Sequence, residues 1–144
     1  ATGSYEFVLT DTEIVDWIAD IETHGGEARQ YFVVNQETPG TLGALIKANG
    51  KNPDKLANLK IIGSVDASDF YYMRDSMSNL QAVNMKECNV VEKSIPSNAF
   101  YEKRLLSNFV FPDNIVKIED GAFCASNLTG SLIIPDGVVS FLIS

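Results

Sequence analysis

The sequence holds few of the residues from which catalytic and metal sites are built. Among its 144 residues there are one histidine, two cysteines and one tryptophan. A single histidine gives no histidine cluster for zinc, and neither Cys88 nor Cys124 stands in a Cys-x-x-Cys pair. His24 lies in a His-Gly-Gly turn, which reads as an exposed loop residue and not a general base. No serine sits in a Gly-x-Ser-x-Gly elbow. The glycines Gly25-Gly26, Gly40 and Gly43 lack the lysine and spacing of a phosphate-binding loop. The chain is therefore expected not to be an enzyme, and no cofactor or metal is implied.

Positive charge is also scarce. Eleven Lys+Arg stand against 19 Asp+Glu, a formal net charge of −8. Nucleic acid and anionic lipid both require a basic footprint, so both are disfavoured as partners. The acidic residues are scattered, as on a solvated surface. No apolar run is long enough to span a bilayer. Two cysteines cannot make a disulfide framework. They lie 36 residues apart in a ladder of period near 24, about one and a half turns, and are expected to be free thiols.

What is present is repetition. Ile95-Pro-Ser-Asn-Ala-Phe100 is echoed by Ile118-Glu-Asp-Gly-Ala-Phe123, and Phe109-Val-Phe-Pro112 by Leu132-Ile-Ile-Pro135, each 23 residues on. Such a period means stacked units, none able to bury its apolar face alone. Extended backwards, the register pairs Leu59/Ile61, Val83/Met85, Phe109/Phe111 and Leu132/Ile134 as inward positions, in steps of 24, 26 and 23. Phe70, Phe100 and Phe123 align as well, each five residues after Val65, Ile95 or Ile118. Four short parallel strands and three outer segments follow. The outer segments Ser68–Met77 and Ser97–Leu106 are expected to be short helices or helical turns.

Residues 1–37 read as a separate cap of strand, helix and strand: Tyr5–Leu9, a helix opened by Asp11 or Thr12 with Ile14, Val15, Trp17, Ile18 and Ile21 on one face, then Tyr31–Val34. Residues 38–144 form the ladder. Within them Pro39–Ala48 is predicted helical with Thr38 as its cap, and a short turn follows from Pro53. Phe141 takes the slot of Ile118, so the last repeat is incomplete, and the apolar tail from Val138 is expected to fold over the open C-terminal edge, to pair there with another copy in self-association, or to continue into a longer parent.

The run Pro96-Ser-Asn-Ala-Phe100, Leu106, Phe109-Val-Phe-Pro112, Ile115, Ile118 and Gly121-Ala-Phe123 resembles the BspA-like leucine-rich repeats, whose pattern is I-P-x-x-A-F-x-x-C-x-x-L-x-x-V-x-I-P. The resemblance extends more loosely back to residue 38. It departs at the pattern's cysteine, where Lys103 and Ser126 stand, and Leu128 comes one position early. It implies an α/β fold, a right-handed leucine-rich-repeat solenoid with a short-stranded parallel sheet. It also implies a secreted or cell-envelope location with the signal segment removed, and adhesion or binding to a host or bacterial protein or a glycan. A spacer within a larger surface protein is the alternative.

The binding surface expected for that fold is the concave sheet face. Lys60, Asn84, Val110 and Ile133 alternate with the buried pairs, and Ile62 and Lys86 follow, making one end polar and the other apolar. Asp66, Asp69 and Asp75 fall on an outer segment, where Asp69 reads as a cap or turn-former and not as part of a carboxylate site. Asn127-Leu128-Thr129 is a glycosylation sequon.

Overall fold

The structure, a computed structural model, describes residues 30–128 and 133–141. The expected Tyr5–Leu9 strand, the helix bearing Trp17, His24, Thr129 of the sequon, Leu132 and the last three residues lie outside those described.

In chain order the elements are β1 (Phe32–Gln36), α1 (Leu42–Ala48), a 3-10 turn (Pro53–Lys55), β2 (Asn58–Val65), α2 (Ala67–Ser76) and β3 (Ala82–Asn84). There follow β4 (Cys88–Val90), β5 (Ser94–Ile95), β6 (Asn108–Val110), β7 (Lys117–Ile118) and β8 (Ser140–Phe141). The fold is mixed α/β, and every strand pairing is parallel. One sheet runs β1-β2-β3-β6, with β4 continuing alongside the far end of β2; the other runs β5-β7-β8.

The repeat register is the register of the first sheet. Leu59 lies opposite Val83, and Val83 opposite Phe109. Alternation then sends Leu59, Ile61, Val83, Met85, Phe109 and Phe111 to one side, where all are 3% exposed or less. The second sheet carries the 23-residue step directly, with Ile95 opposite Ile118 and Ile118 opposite Phe141. The expected single sheet is thus two, because the chain pairs again just before each phenylalanine.

β1 extends the first ladder. The strand set apart with residues 1–37 pairs with β2 over five residues, from Phe32 opposite Leu59 to Gln36 opposite Gly63. Gly63, at φ +114°, permits that approach: a Cβ there would fall 2.1 Å from the Gln36 carbonyl oxygen.

Helix α1 begins later than its sequence suggests. Gly40 is left-handed (φ +86°), so Pro39 lies outside the helix and Thr38 does not cap it. The Asp69 carboxylate serves instead, accepting from the Gly40 N–H (2.8 Å) and the Leu42 N–H (3.2 Å). Leu42 and Ile46 are fully buried beneath it. Asp66 and Asp69 form a reciprocal capping box at the start of α2. The 97–106 segment forms turns and no helix, with Asn98 and Glu102 both at positive φ.

Phenylalanines fill the space between the sheets. Phe100 lies 5.9 Å from Phe70 edge-on, 5.4 Å from Phe123 in a stack and 5.2 Å from Phe109. Rings at these separations add directional attraction to the burial of their area. Replacing Phe100 by Ala is expected to cost about 3–5 kcal/mol in urea unfolding. A loss under about 1 kcal/mol, the scale of an ordinary surface change, would contradict this packing.

Candidate interaction surface

Lys60, Asn84 and Val110 are direct cross-strand neighbours on the side of the sheet opposite the core. The structure brings them together as the alternation requires. It does not leave them all accessible. Lys60 and Asn84 are both 0% exposed, a correction to their expected place on an open face.

The reason is local. Lys60 is flanked in the sheet by Val33 and Asn84, and Asn84 by Lys60 and Val110. A lysine stem laid along such neighbours stays dry while its head finds a partner. Here the ammonium reaches the Glu87 carboxylate at 2.5 Å. Asn84 turns back on its own chain, its Oδ1 accepting the Lys86 N–H at 3.0 Å. A third polar side chain, Asn108, two residues before Val110 and opposite Ala82, is only 3% exposed.

The accessible candidates lie around this buried centre. Ile62 and Val110 are half-buried. Lys86 is exposed and pairs with Asp113 at 3.5 Å, a surface contact of little energetic weight. Ile133 is 63% exposed and lies in no strand among the described residues. Ile62, one alternation beyond Lys60, has Asn35 of β1 beside it.

The acidic trio does not converge. Asp69 is buried at 1% exposure and accepts from the Gln36 amide (2.8 Å) and from the N–H groups of Gly40, Leu42 and Asp66. Asp75 faces solvent and pairs with Arg74, which holds its carboxyl below the usual range. Among the described residues no group of three His, Cys, Asp or Glu side chains is arranged to hold a metal ion.

Lys103, standing where the repeat pattern has cysteine, is 7% exposed and donates to the Met77 (2.7 Å) and Arg74 (3.1 Å) carbonyls. It therefore neutralises the negative end of α2. Burial pulls its pKa down, opposed by the nearby Asp75. Sequence reasoning missed this role because Lys103 and α2 are more than 25 residues apart.

Both cysteines are free. Cys88 is 6% exposed and its thiol donates to the Ile61 carbonyl. Burial, with Asp69 and Glu87 nearby, pushes its pKa to about 12 against a smaller opposing pull from Lys60. A thiol so raised holds its proton longer in the fold than in the unfolded chain. Its stabilising contribution is complete below the ordinary thiol pKa and is lost as pH rises toward 12. A thiol reagent at neutral pH is expected to titrate the half-buried Cys124 promptly and Cys88 only on unfolding. Prompt reaction of both would contradict the packing around β4.

Residues 93–142 match the family model described as BspA type Leucine rich repeat region (6 copies). The matched region contains β5, β6, β7 and β8 with the aligned Phe100 and Phe123. The chain shows no match to a curated protein. Leucine-rich repeats are generally protein-interaction regions without catalysis, and those of BspA type are typical of surface proteins. No described helix is long and apolar enough to cross a membrane. With its 23-residue register, parallel ladders and aligned phenylalanines, the segment 93–142 is similar to the BspA-type leucine-rich-repeat family.

Proposed function

We propose that this chain is a right-handed leucine-rich-repeat solenoid that binds a protein partner outside the cell or in the cell envelope, without catalysis. The supporting observation is the in-register ladder Leu59–Val83–Phe109, continued by the family match. A ladder of this kind displays side chains at a fixed spacing over several strands, which is what an extended protein partner reads. Residues 1–37 act as its N-terminal cap and 38–144 as the repeat body.

Because Lys60 and Asn84 are buried, we assign the contact surface to Ile62, Lys86, Val110 and Ile133. The two apolar members, Val110 and Ile133, anchor the partner, and Lys86 sits at the polar rim, as in interfaces generally. A second reading is a spacer that associates with itself. Its support is Val116 and Val139, 43% and 85% exposed and joined by the Val139 N–H to the Val116 carbonyl at 2.9 Å.

One comparison separates the readings. The chain and its Val110→Ser/Ile133→Ser variant are passed over immobilised purified extracellular proteins, with light scattering of each. The expected result is binding by a monomer, weakened about tenfold or more in the variant. Equal binding by the variant would overturn the assigned surface, and a dimer that persists on dilution with no partner bound would favour the spacer.

A further inference from the structure

Between the C-terminal end of α2 and the turns at 101–105 runs an open groove of about 470 Å³. That volume is within the range of about 300–1,000 Å³ usual for small-ligand sites. Buried Leu80 and Lys103 lie among its lining residues, and Tyr101 and Leu105, 44% and 53% exposed, are its accessible apolar surfaces. Arg74, Asp75, Ser78, Glu102 and Arg104 supply its polar groups. We propose that this groove is a carbohydrate-binding site taking a neutral oligosaccharide, with Tyr101 as the platform for one sugar ring.

Charge decides against an anion. Three cations and two carboxylates line the groove, so it has no large surplus of either sign. Arg74 is already committed to Asp75 through two nitrogens (2.8 and 3.2 Å) and to the Asn98 carbonyl. Lys103 is committed to the two α2 carbonyls. Arg104, the most exposed of the three, has Glu102 within 4.0 Å. A phosphate or an acidic peptide would have to compete with these partners.

Apolar area decides against a hydrophobic peptide. Tyr101 and Leu105 are too little for the cluster of anchors such a partner needs. A sugar ring needs something else: one flat apolar face for its C–H groups, and both donors and acceptors around its edge for hydroxyls that do both. Tyr101 and Leu105 give the first. Asp75 and Glu102 accept through their remaining lone pairs, while the Ser78 hydroxyl and the N–H groups that Arg74 and Arg104 do not spend on their own partners donate, so a hydroxyl can join these pairs without displacing them. The Arg74–Asp75 pair holds these groups in place before any ligand arrives, and the Arg74 guanidinium is further steadied over the Tyr71 ring at 4.7 Å. The neighbouring Glu102 carboxylate raises the pKa of the Tyr101 hydroxyl.

The test is an array of neutral oligosaccharides built from glucose, mannose, galactose and N-acetylglucosamine, printed beside acidic hexapeptides. The full chain, Tyr101→Ala and Val110→Ser/Ile133→Ser are applied, followed by calorimetry on any sugar bound. The expected result is binding of at least one neutral oligosaccharide, weakened about tenfold or more in Tyr101→Ala. The Val110→Ser/Ile133→Ser chain should bind the same sugar normally, so this site stands or falls separately from the sheet surface. No sugar bound, an undiminished signal from Tyr101→Ala, or acidic peptides bound in place of sugars would each overturn the proposal.

Discussion

The ring of Phe100 meets Phe70, Phe109 and Phe123, with centroids between 5.2 and 5.9 Å away, and through them it touches both sheets. Phe109 belongs to β6 of the first sheet, while Phe100 and Phe123 follow β5 and β7 of the second. This matters because the strands are so short. β3, β4 and β6 have three residues each, and β5, β7 and β8 have two. Strands of that length make too few ladder hydrogen bonds to hold a sheet together. Their side chains must do it, each layer resting on the next, as in repeat proteins generally.

Two buried charges then fasten the outer segments to this core. Asp69 collects N–H groups from around β1, the entry to α1 and the start of α2, so one carboxylate fixes how three stretches of chain meet. Lys103 does the reverse at the other end of α2, donating hydrogen bonds to carbonyls that the helix leaves unpaired. Removing either would strand buried polar groups, and such groups cost more than the bonds contribute. The departure of Lys103 from the family's cysteine is thus compensated: a longer side chain reaches a helix end that a thiol would not.

The sequence made the core legible because the core is periodic. Leu59, Val83 and Phe109 could be aligned by counting, and so could Ile95, Ile118 and Phe141. Alternation also put Lys60 and Asn84 on the opposite face, as cross-strand neighbours. It could not show that both are buried there, because alternation gives direction and says nothing of what packs on top. Asp69 was read as a cap or turn-former, and it does join the capping box of α2, but its bonds to Gln36, Gly40 and Leu42 span 27 to 33 residues with no periodic trace. Thr38 looked like a helix cap until the left-handed Gly40 set the start of α1 further on. The groove at Tyr101 was missed because its walls come from exposed positions of two successive outer segments, which the repeat pattern does not constrain.

If the two sheets depend on one another through stacked rings, the rings must be energetically coupled. A double-mutant cycle of Phe100→Leu and Phe109→Leu, followed by urea unfolding, measures that coupling across the sheets with the apolar volume largely kept. The ring contact predicts a coupling of about 0.5–1.5 kcal/mol, the usual worth of an aromatic pair beyond its buried area. Additive losses with no coupling would mean that Phe100 and Phe109 do not meet, and would contradict the ring contact that joins the sheets.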